Sequence, residues 1–420
     1  MYWTNDDWMD ANILTVTTLA DSGAGSLRAA LSASGKRVIV FAVSGLITVR
    51  SELDIDYPRC WECGYTAGEF GVVLVGDGST ESIINVNTSD VILQGLTILC
   101  NNSGEGTRSV SVAERGKNPK RILLQNLATG VSEDENVIIW YDTQYVTYRD
   151  SISAFSLLPG GKGPNLGSEG GGNYLVERNI FYGHRQRLPR TKADSGPIFL
   201  VNNLAMNHQG SGASVRNSDG CELHAYGNID WQKEDSADYY ISTDSDSSVY
   251  HDGNWIIRGD DVYKTNIVKS NRGTQKKAGY GYIENLVHLM EELIKVSGNS
   301  TYLDNDYVRR HRQDPFTRYV SSLVMNGEFL EVKSSYAELD DWTRLSPTAL
   351  VSNWTMERLI KVALRLQRPD PDPDPDPRPD PDPDPDPEPI PDAIEKRLVS
   401  IETKLGEVVD FIRSLRDAMK

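Results

Sequence analysis

A spaced repeat of short β-rich runs constrains the fold of this chain more than any other feature. Seven runs end on Gly, Asn or Asp: 91–95, 122–126, 146–150, 175–179, 199–203, 223–228 and 250–254. The intervals between their last residues (Gly95, Asn126, Asp150, Asn179, Asn203, Asn228 and Asn254) are 31, 24, 29, 24, 25 and 26. The runs are rich in Val, Ile, Leu, Tyr and Phe and lack 3.6-residue periodicity, so they read as strands separated by turn residues. A strand-rich unit repeating at this length, with a residue tolerant of left-handed backbone at each turn, predicts one coil of a parallel β-helix per interval.

An open solenoid end exposes apolar side chains and unpaired strand edges, so caps are expected. Gly25–Leu31 has the pattern of a short amphipathic helix ahead of the apolar strand Val38–Val43. Apolar residues at 283, 286, 287, 290, 293 and 294, and a similar stretch over 354–366, predict helices covering the last coil or its flank. The fold class is therefore all-β, a parallel solenoid with small helical caps. Residues 1–265 form the β-helix with its N-terminal cap, and 266–368 form a mainly helical flanking segment.

From Pro369 to Pro391 every second residue is Pro and most of the others are Asp. Pro fixes φ and removes the amide hydrogen, and like charges extend the chain, so 369–392 reads as a polyproline II spacer of roughly 70 Å. Beyond it, Ile394, Leu398, Ile401, Leu405, Val408, Ile412, Leu415 and Met419 fall in an unbroken alternation of four and three. That is a coiled-coil seam, and the mixture of Leu at one seam position with β-branched residues at the other favours a trimer or tetramer through 393–420.

The formal charge of -17 includes -9 on 369–392 and +1 on 393–420, leaving -9 on the body. An acidic body does not favour nucleic acid, whose binding needs phosphate neutralisation. No apolar run is long enough for a membrane span, and the first residues lack a secretory signal pattern. Cys60-Trp-Glu-Cys63 is a single CxxC, with Cys100 and Cys221 isolated, which fits neither a zinc site nor a disulfide framework. The Gly-rich stretch 159–172 lacks phosphate-loop spacing and reads as a surface insertion, with a loop over a groove as the other reading.

Against the acidic body, Arg185, Arg187, Arg190 and Lys192 place four cations within eight residues. Such a local reversal is what an anionic ligand groove requires; a basic turn paired with neighbouring acids is the alternative. Trp140, Tyr141, Tyr145, Tyr148, Tyr182 and Trp231 are available to stack on sugar rings or to fill the solenoid.

The stretches Thr15–Leu31, Val43–Thr48, His184-Arg-Gln-Arg-Leu-Pro-Arg190 and Val201-Asn-Asn203 resemble the pectate lyase family of right-handed β-helix proteins, which includes members on bacteriophage particles. The resemblance covers roughly 15–260. It implies a right-handed solenoid and cleavage of a uronate polysaccharide by β-elimination. It implies Arg187 as the base opening the Arg-Xaa-Pro motif, Lys192 where a second arginine is usual, and Arg190 with them as catalytic residues. His184, Arg185, Arg187, Arg190 and Lys192 are the implied substrate-binding set. It also implies calcium, held by Asp134 and Glu135 with Glu133 beside them, an oxygen-rich cluster suited to a hard cation. The chain departs from the pattern where Gln125-Asn126 replaces an Asp-His pair and where Ser109–Val112 lacks an acid.

The expected function is a virion-associated, polysaccharide-directed protein, a tailspike-like adhesin or depolymerase. If it is an enzyme, it is a pectate-type lyase. Two alternatives stay open: an exported bacterial uronate lyase, and a non-catalytic structural decoration or fibre. The expected partners are an anionic polysaccharide, further copies of the chain, and capsid or tail proteins, with no nucleic acid and no membrane. The expected location is a virion surface after synthesis in a host cytoplasm, with secretion as the alternative.

Overall fold

A computed structural model describes residues 7–360 apart from 113–114, 169, 211, 234–238, 260, 265–266, 270–272, 276–280, 298–299, 303–308, 312–313 and 351. The Pro-Asp spacer and the heptad segment lie outside the described residues.

Each coil gives one strand to each of three parallel sheets. One coil runs Lys120–Gln125, Ala128–Ser132, Glu135–Ile139, and the next Gln144–Arg149, Ile152–Ala154, Asn165–Leu166. The first and second sheets, in the order a coil visits them, have eleven strands each and the third has eight. About nine coils stack in this way. Residues one coil apart are in register, so like side chains pile on like. On the first sheet Val91, Ile122, Val146, Tyr174, Ile198, Leu223 and Val249 form one inward column. All seven are buried in a single apolar core, the six aliphatics contributing roughly 1.5–3 kcal/mol each.

The turn between the first and second sheets explains the recurrent polar residue. Gly95, Asn126, Asp150, Arg178, Asn202, Gly227 and Gly253 have left-handed backbone there. In the later coils this is one residue earlier than the repeat alone suggests: Arg178 rather than Asn179 carries the positive φ. Asn179, Asn203, Asn228 and Asn254 follow it and form a buried ladder. Each donates from Nδ2 to a backbone oxygen of the preceding coil, Tyr148, Val176, Leu200 and Ala225 respectively, at 2.8–2.9 Å. Each Oδ1 accepts from the backbone amide one coil before it, including Ser151 N at the first rung, at 2.9 Å.

Helix α1 (Leu27–Leu31) closes the N-terminal end. Ser26 Oγ caps it by accepting from Ala29 N at 3.2 Å, and Leu27, Ala30 and Leu31 are buried. The buried guanidinium of Arg37 donates to the Ala30 and Leu31 oxygens, satisfying carbonyls that a helix end leaves unpaired. Helices α2 (Leu286–Val296), α3 (Pro315–Met325) and α4 (Leu339–Trp342) lie along the outer side of the second sheet rather than over the last coil. Leu289, Leu293, Phe316, Val320 and Trp342 cover Leu99, Ala128, Ile152, Ile180, Leu204 and Ile229 there. Helix α5 (Met356–Leu359) packs with Trp8 and Trp61 on the first sheet. The apolar clusters under these helices involve the first and second sheets, which leaves the outer side of the third for other work.

All four cysteines are free and buried. Burial pushes the Cys60, Cys100 and Cys221 thiols up to about 12, so they pack as apolar groups. Among the described residues no helix is long and apolar enough to cross a membrane.

Candidate functional site

The third sheet and the turn entering it collect the charged residues. In the parallel register Arg108 pairs with Glu135, and two coils on Asn165, Arg190, Arg216 and Ser242 form one column. The chain reaches this sheet through 184–189, where Arg187 takes left-handed backbone (φ 69°). The Gly-rich segment forms the layer directly beneath: Gly163 N donates to Gln186 O at 2.8 Å. A Cβ at Gly163 would collide with the Arg187 backbone oxygen and the His184 ring, so only glycine allows this close approach. The segment is thus neither a loop over the groove nor a surface insertion; it supports the basic turn.

Between this turn and the two following coils lies an open cleft of about 520 Å³ lined by Arg185, Gln186, Arg187, His208, Gly210, Gly212, Ala213, Arg216, Tyr239, Ser242 and Lys269. Four of these are cationic and none is acidic. Lys269 Nζ sits 4.7 Å from the centre of the Tyr239 ring. Burial lowers the His208 imidazole to about 4, so it is neutral at pH 7 and offers a polar edge without charge. Arg190 is held below its ordinary value, first by burial and then by the like charges of Arg187 and Arg216, with Asp219 opposing. Cations gathered in this way give the cleft a positive potential against an acidic body.

The cations expected from the basic cluster divide into two groups. Arg185 and Arg187 face the cleft. Arg190 binds Ser218 Oγ at 3.1 Å and Asp219 Oδ2 at 3.0 Å, and Lys192 is 3.5 Å from the same carboxylate oxygen, so both are engaged at the edge of the sheet. His184 is not on the cleft. It is fully buried, with Nδ1 3.1 Å from Ser156 Oγ and Nε2 2.9 Å from Ser153 O, and burial lowers it to about 3. Its substrate-binding role is replaced by a structural one within a buried polar seam that also holds Asn136, bonded to Ser153 Oγ at 3.2 Å and Ala154 O at 2.9 Å.

The acids expected to hold calcium are occupied by side-chain cations. Arg187 Nη1 pairs with Glu135 Oε1 and Lys162 Nζ with Asp134 Oδ1. Arg108 lies 3.6 Å from Asp134 Oδ2 and 3.9 Å from Glu135 Oε2. Glu133 takes no part in these ion pairs among the described residues. Glu135 Oε2 is buried without a hydrogen bond, but one such oxygen facing a guanidinium is far from the six to eight oxygens calcium takes. No group of three or more His, Cys, Asp or Glu converges as a metal site among the described residues. As they stand, Asp134, Glu135 and Glu133 do not make a calcium cradle. Burial and the neighbouring Asp134 push the Glu135 carboxyl up. At Asp134 burial opposes ionisation, and hydrogen bonding to Glu135 and Lys162, with the charges of Lys162 and Arg108, outweighs it to lower the group.

Arg108, Lys162, His208, Arg216, Tyr239 and Lys269 are not singled out by sequence reading. One signal was available for two of them: Arg216 stands one coil beyond Arg190, and Arg108 one coil before Glu135. Of the aromatics, Tyr148 and Tyr182 are buried and Tyr145 is exposed, and none of the six lines the cleft.

The fold and site define a parallel β-helix with a cationic cleft on its third sheet. No family model matches the chain. A "Probable pectate lyase C" of Neosartorya fischeri is 28% identical over 276 residues, 65% of this chain and 55% of its own length. One of Emericella nidulans is 26% identical over 316 residues, 74% of this chain and 64% of its own. The chain thus spans between half and two thirds of the length of these relatives. The crystal structure of the major allergen from cedar pollen matches 69% of this chain and 89% of its own at a TM-score of 0.53 and 14% identity, a likeness of fold. The chain is thus similar in sequence to pectate lyases and has the fold of the right-handed β-helix proteins.

Proposed function

We propose that the protein binds an acidic, uronate-containing polysaccharide in this cleft and cleaves it by β-elimination. The observation that carries the reading is the convergence of Arg185, Arg187, Arg216 and Lys269 on one cleft with no lining acid, on a body of net negative charge. In the reaction a base takes the C5 proton, the electron pair forms the C4–C5 double bond, and the C4–O bond breaks to release the neighbouring sugar. Cations against the uronate carboxylate stabilise the enolate-like charge that develops on it. Arg187 is the base that family resemblance supplies, and it lines the cleft. No step is routed through calcium, because the acids that would hold it are paired with Arg108, Lys162 and Arg187.

A second reading, a glycan adhesin without cleavage, is favoured by one contact. Arg187 is engaged in an ion pair with Glu135, and a protonated guanidinium cannot accept the C5 proton. On either reading the proposed setting is a virion surface, where 369–392 acts as a spacer and 393–420 as an oligomerising helix bound to capsid or tail proteins. Several weak clefts on one oligomer then gain avidity for a repeating polymer.

The test follows ultraviolet absorbance of unsaturated uronate ends on pectate, alginate and capsular polysaccharides, with binding measured alongside by calorimetry. Product from the intact protein and none from Arg187→Ala establishes the lyase. Binding without product establishes the adhesin. Neither binding nor product on any acidic glycan, with the fold intact by circular dichroism, overturns the cleft assignment.

A further inference from the structure

We propose that Arg108 is a built-in replacement for a divalent cation, making the charge cluster beside the cleft a metal-independent device that positions Arg187. The inference rests on the anion-cleft reading for the identity of the groove. It is read out through calcium rather than glycan, so the two fail separately.

The argument begins with strand register. Arg108 opens a strand of the third sheet and its Cα partner one coil on is Glu135. The parallel stack therefore fixes the guanidinium against the acids by backbone pairing, and its side chain is three-quarters buried. It stands 3.6 Å from Asp134 Oδ2 and 3.9 Å from Glu135 Oε2, spanning both carboxylates as a bound cation would. Lys162 closes the other oxygen of Asp134, and Arg187 the other oxygen of Glu135. Each of the four carboxylate oxygens thus faces a protein cation.

The charge balance points the same way. Two acids against Arg108, Lys162 and Arg187 leave the cluster at +1 with no metal. A divalent cation would have to enter against three positive side chains and displace at least one, into a site with too few free oxygens to replace its water shell. Arg108 also has a geometric consequence. Its charge lies 3.9 Å from the Glu135 carboxylate that pairs with Arg187, so it is a positioning residue, acting through charge, for the guanidinium that faces the cleft.

The experiment is a calcium titration of the full chain by isothermal calorimetry, with thermal melting in calcium and in chelator as a second readout. Intact protein is expected to show neither a calcium heat nor a calcium-dependent rise in Tm that depends on Glu135. Arg108→Asp removes the guanidinium and adds a third carboxylate in register with Asp134 and Glu135. It is expected to gain calcium binding and a calcium-dependent rise in Tm. Arg108→Gln is the milder partner if the aspartate variant does not fold. It is expected to leave calcium binding absent, because Lys162 and Arg187 remain, and to weaken glycan binding through the loosened Arg187. Calcium that binds the intact protein and is released by Glu135→Gln overturns the proposal, as does a folded Arg108→Asp that takes up no calcium. Calcium binding by the intact protein that is indifferent to Glu135→Gln lies elsewhere on this acidic chain and supports it.

Discussion

Replacing Asn203 by alanine tests whether the side-chain ladder, rather than the apolar stack alone, holds the coils that carry the cleft. Asn203 is 1% exposed. It donates to Val176 O at 2.9 Å and to Asn228 Oδ1 at 3.0 Å, and accepts from Asn179 N at 2.9 Å and Asn179 Nδ2 at 3.0 Å. Two of the partners keep another bond in the variant: Asn179 Nδ2 still reaches Tyr148 O, and Asn228 Oδ1 still receives Asn203 N. The Val176 carbonyl lies within the parallel ladder to Leu200, which leaves the Asn179 amide as the partner that loses its bond. A buried polar group left without a partner costs about 1–3 kcal/mol, so the substitution is expected to destabilise the fold by about that amount. Urea unfolding followed by circular dichroism reads this as a lower midpoint. Because a solenoid need not unfold in one step, hydrogen exchange at the Asn179 amide is measured as the local reporter. Asn87→Ala, whose side chain reaches only Asp56 at the surface at 3.2 Å, serves as the control and should stay within about 0.5 kcal/mol. A midpoint for Asn203→Ala equal to the control's, with Asn179 exchange unchanged, would refute the reasoning and return the stability to side-chain stacking alone.

Arg216→Ala removes one exposed cation from the cleft. It should weaken binding of an acidic glycan by roughly 3–10-fold and flatten its salt dependence, measured by calorimetry at two ionic strengths. An unchanged salt slope would place the ligand elsewhere. Asp230 is buried inside the second sheet, and burial pushes its carboxyl from 3.8 to about 7 against the bonds from Ser214 and Gln232. The folded chain therefore keeps a proton that the unfolded chain releases, and this group's contribution to stability falls as pH rises from about 4 to about 7, by at most about 4 kcal/mol. Asp230→Asn should flatten urea stability across that window and raise it above pH 7; a variant with the parent's full pH slope would locate the effect in other groups. Deleting 393–420 should leave a monomer by light scattering, and a truncated chain that stays oligomeric would remove the coiled coil from the assembly.

The parts of this molecule that could be read in one dimension are those that repeat along it. A left-handed turn residue once per coil leaves Gly, Asn or Asp at Gly95, Asn126 and Asp150, and that periodicity carries the solenoid. The reading slipped by one residue at Arg178, because arginine carries no turn signature and the ladder asparagine behind it does. The cleft was harder to read because it is a column across coils. Its residues are neighbours through register: Arg216 beside Arg190, and Arg108 beside Glu135. The local charge reversal at 185–192 marked the right turn but overstated the free charge, since Arg190 and Lys192 turn to Asp219 one coil later. The same blindness misplaced His184, whose Gly and Arg neighbours suggest a surface turn while its ring points into the seam with Ser153 and Ser156. In a parallel solenoid each change at one position meets the residue one coil away before it meets its chain neighbours. Arginine at 108 is therefore best understood through Glu135, and the chemistry of the cleft through which cation each buried acid has been given.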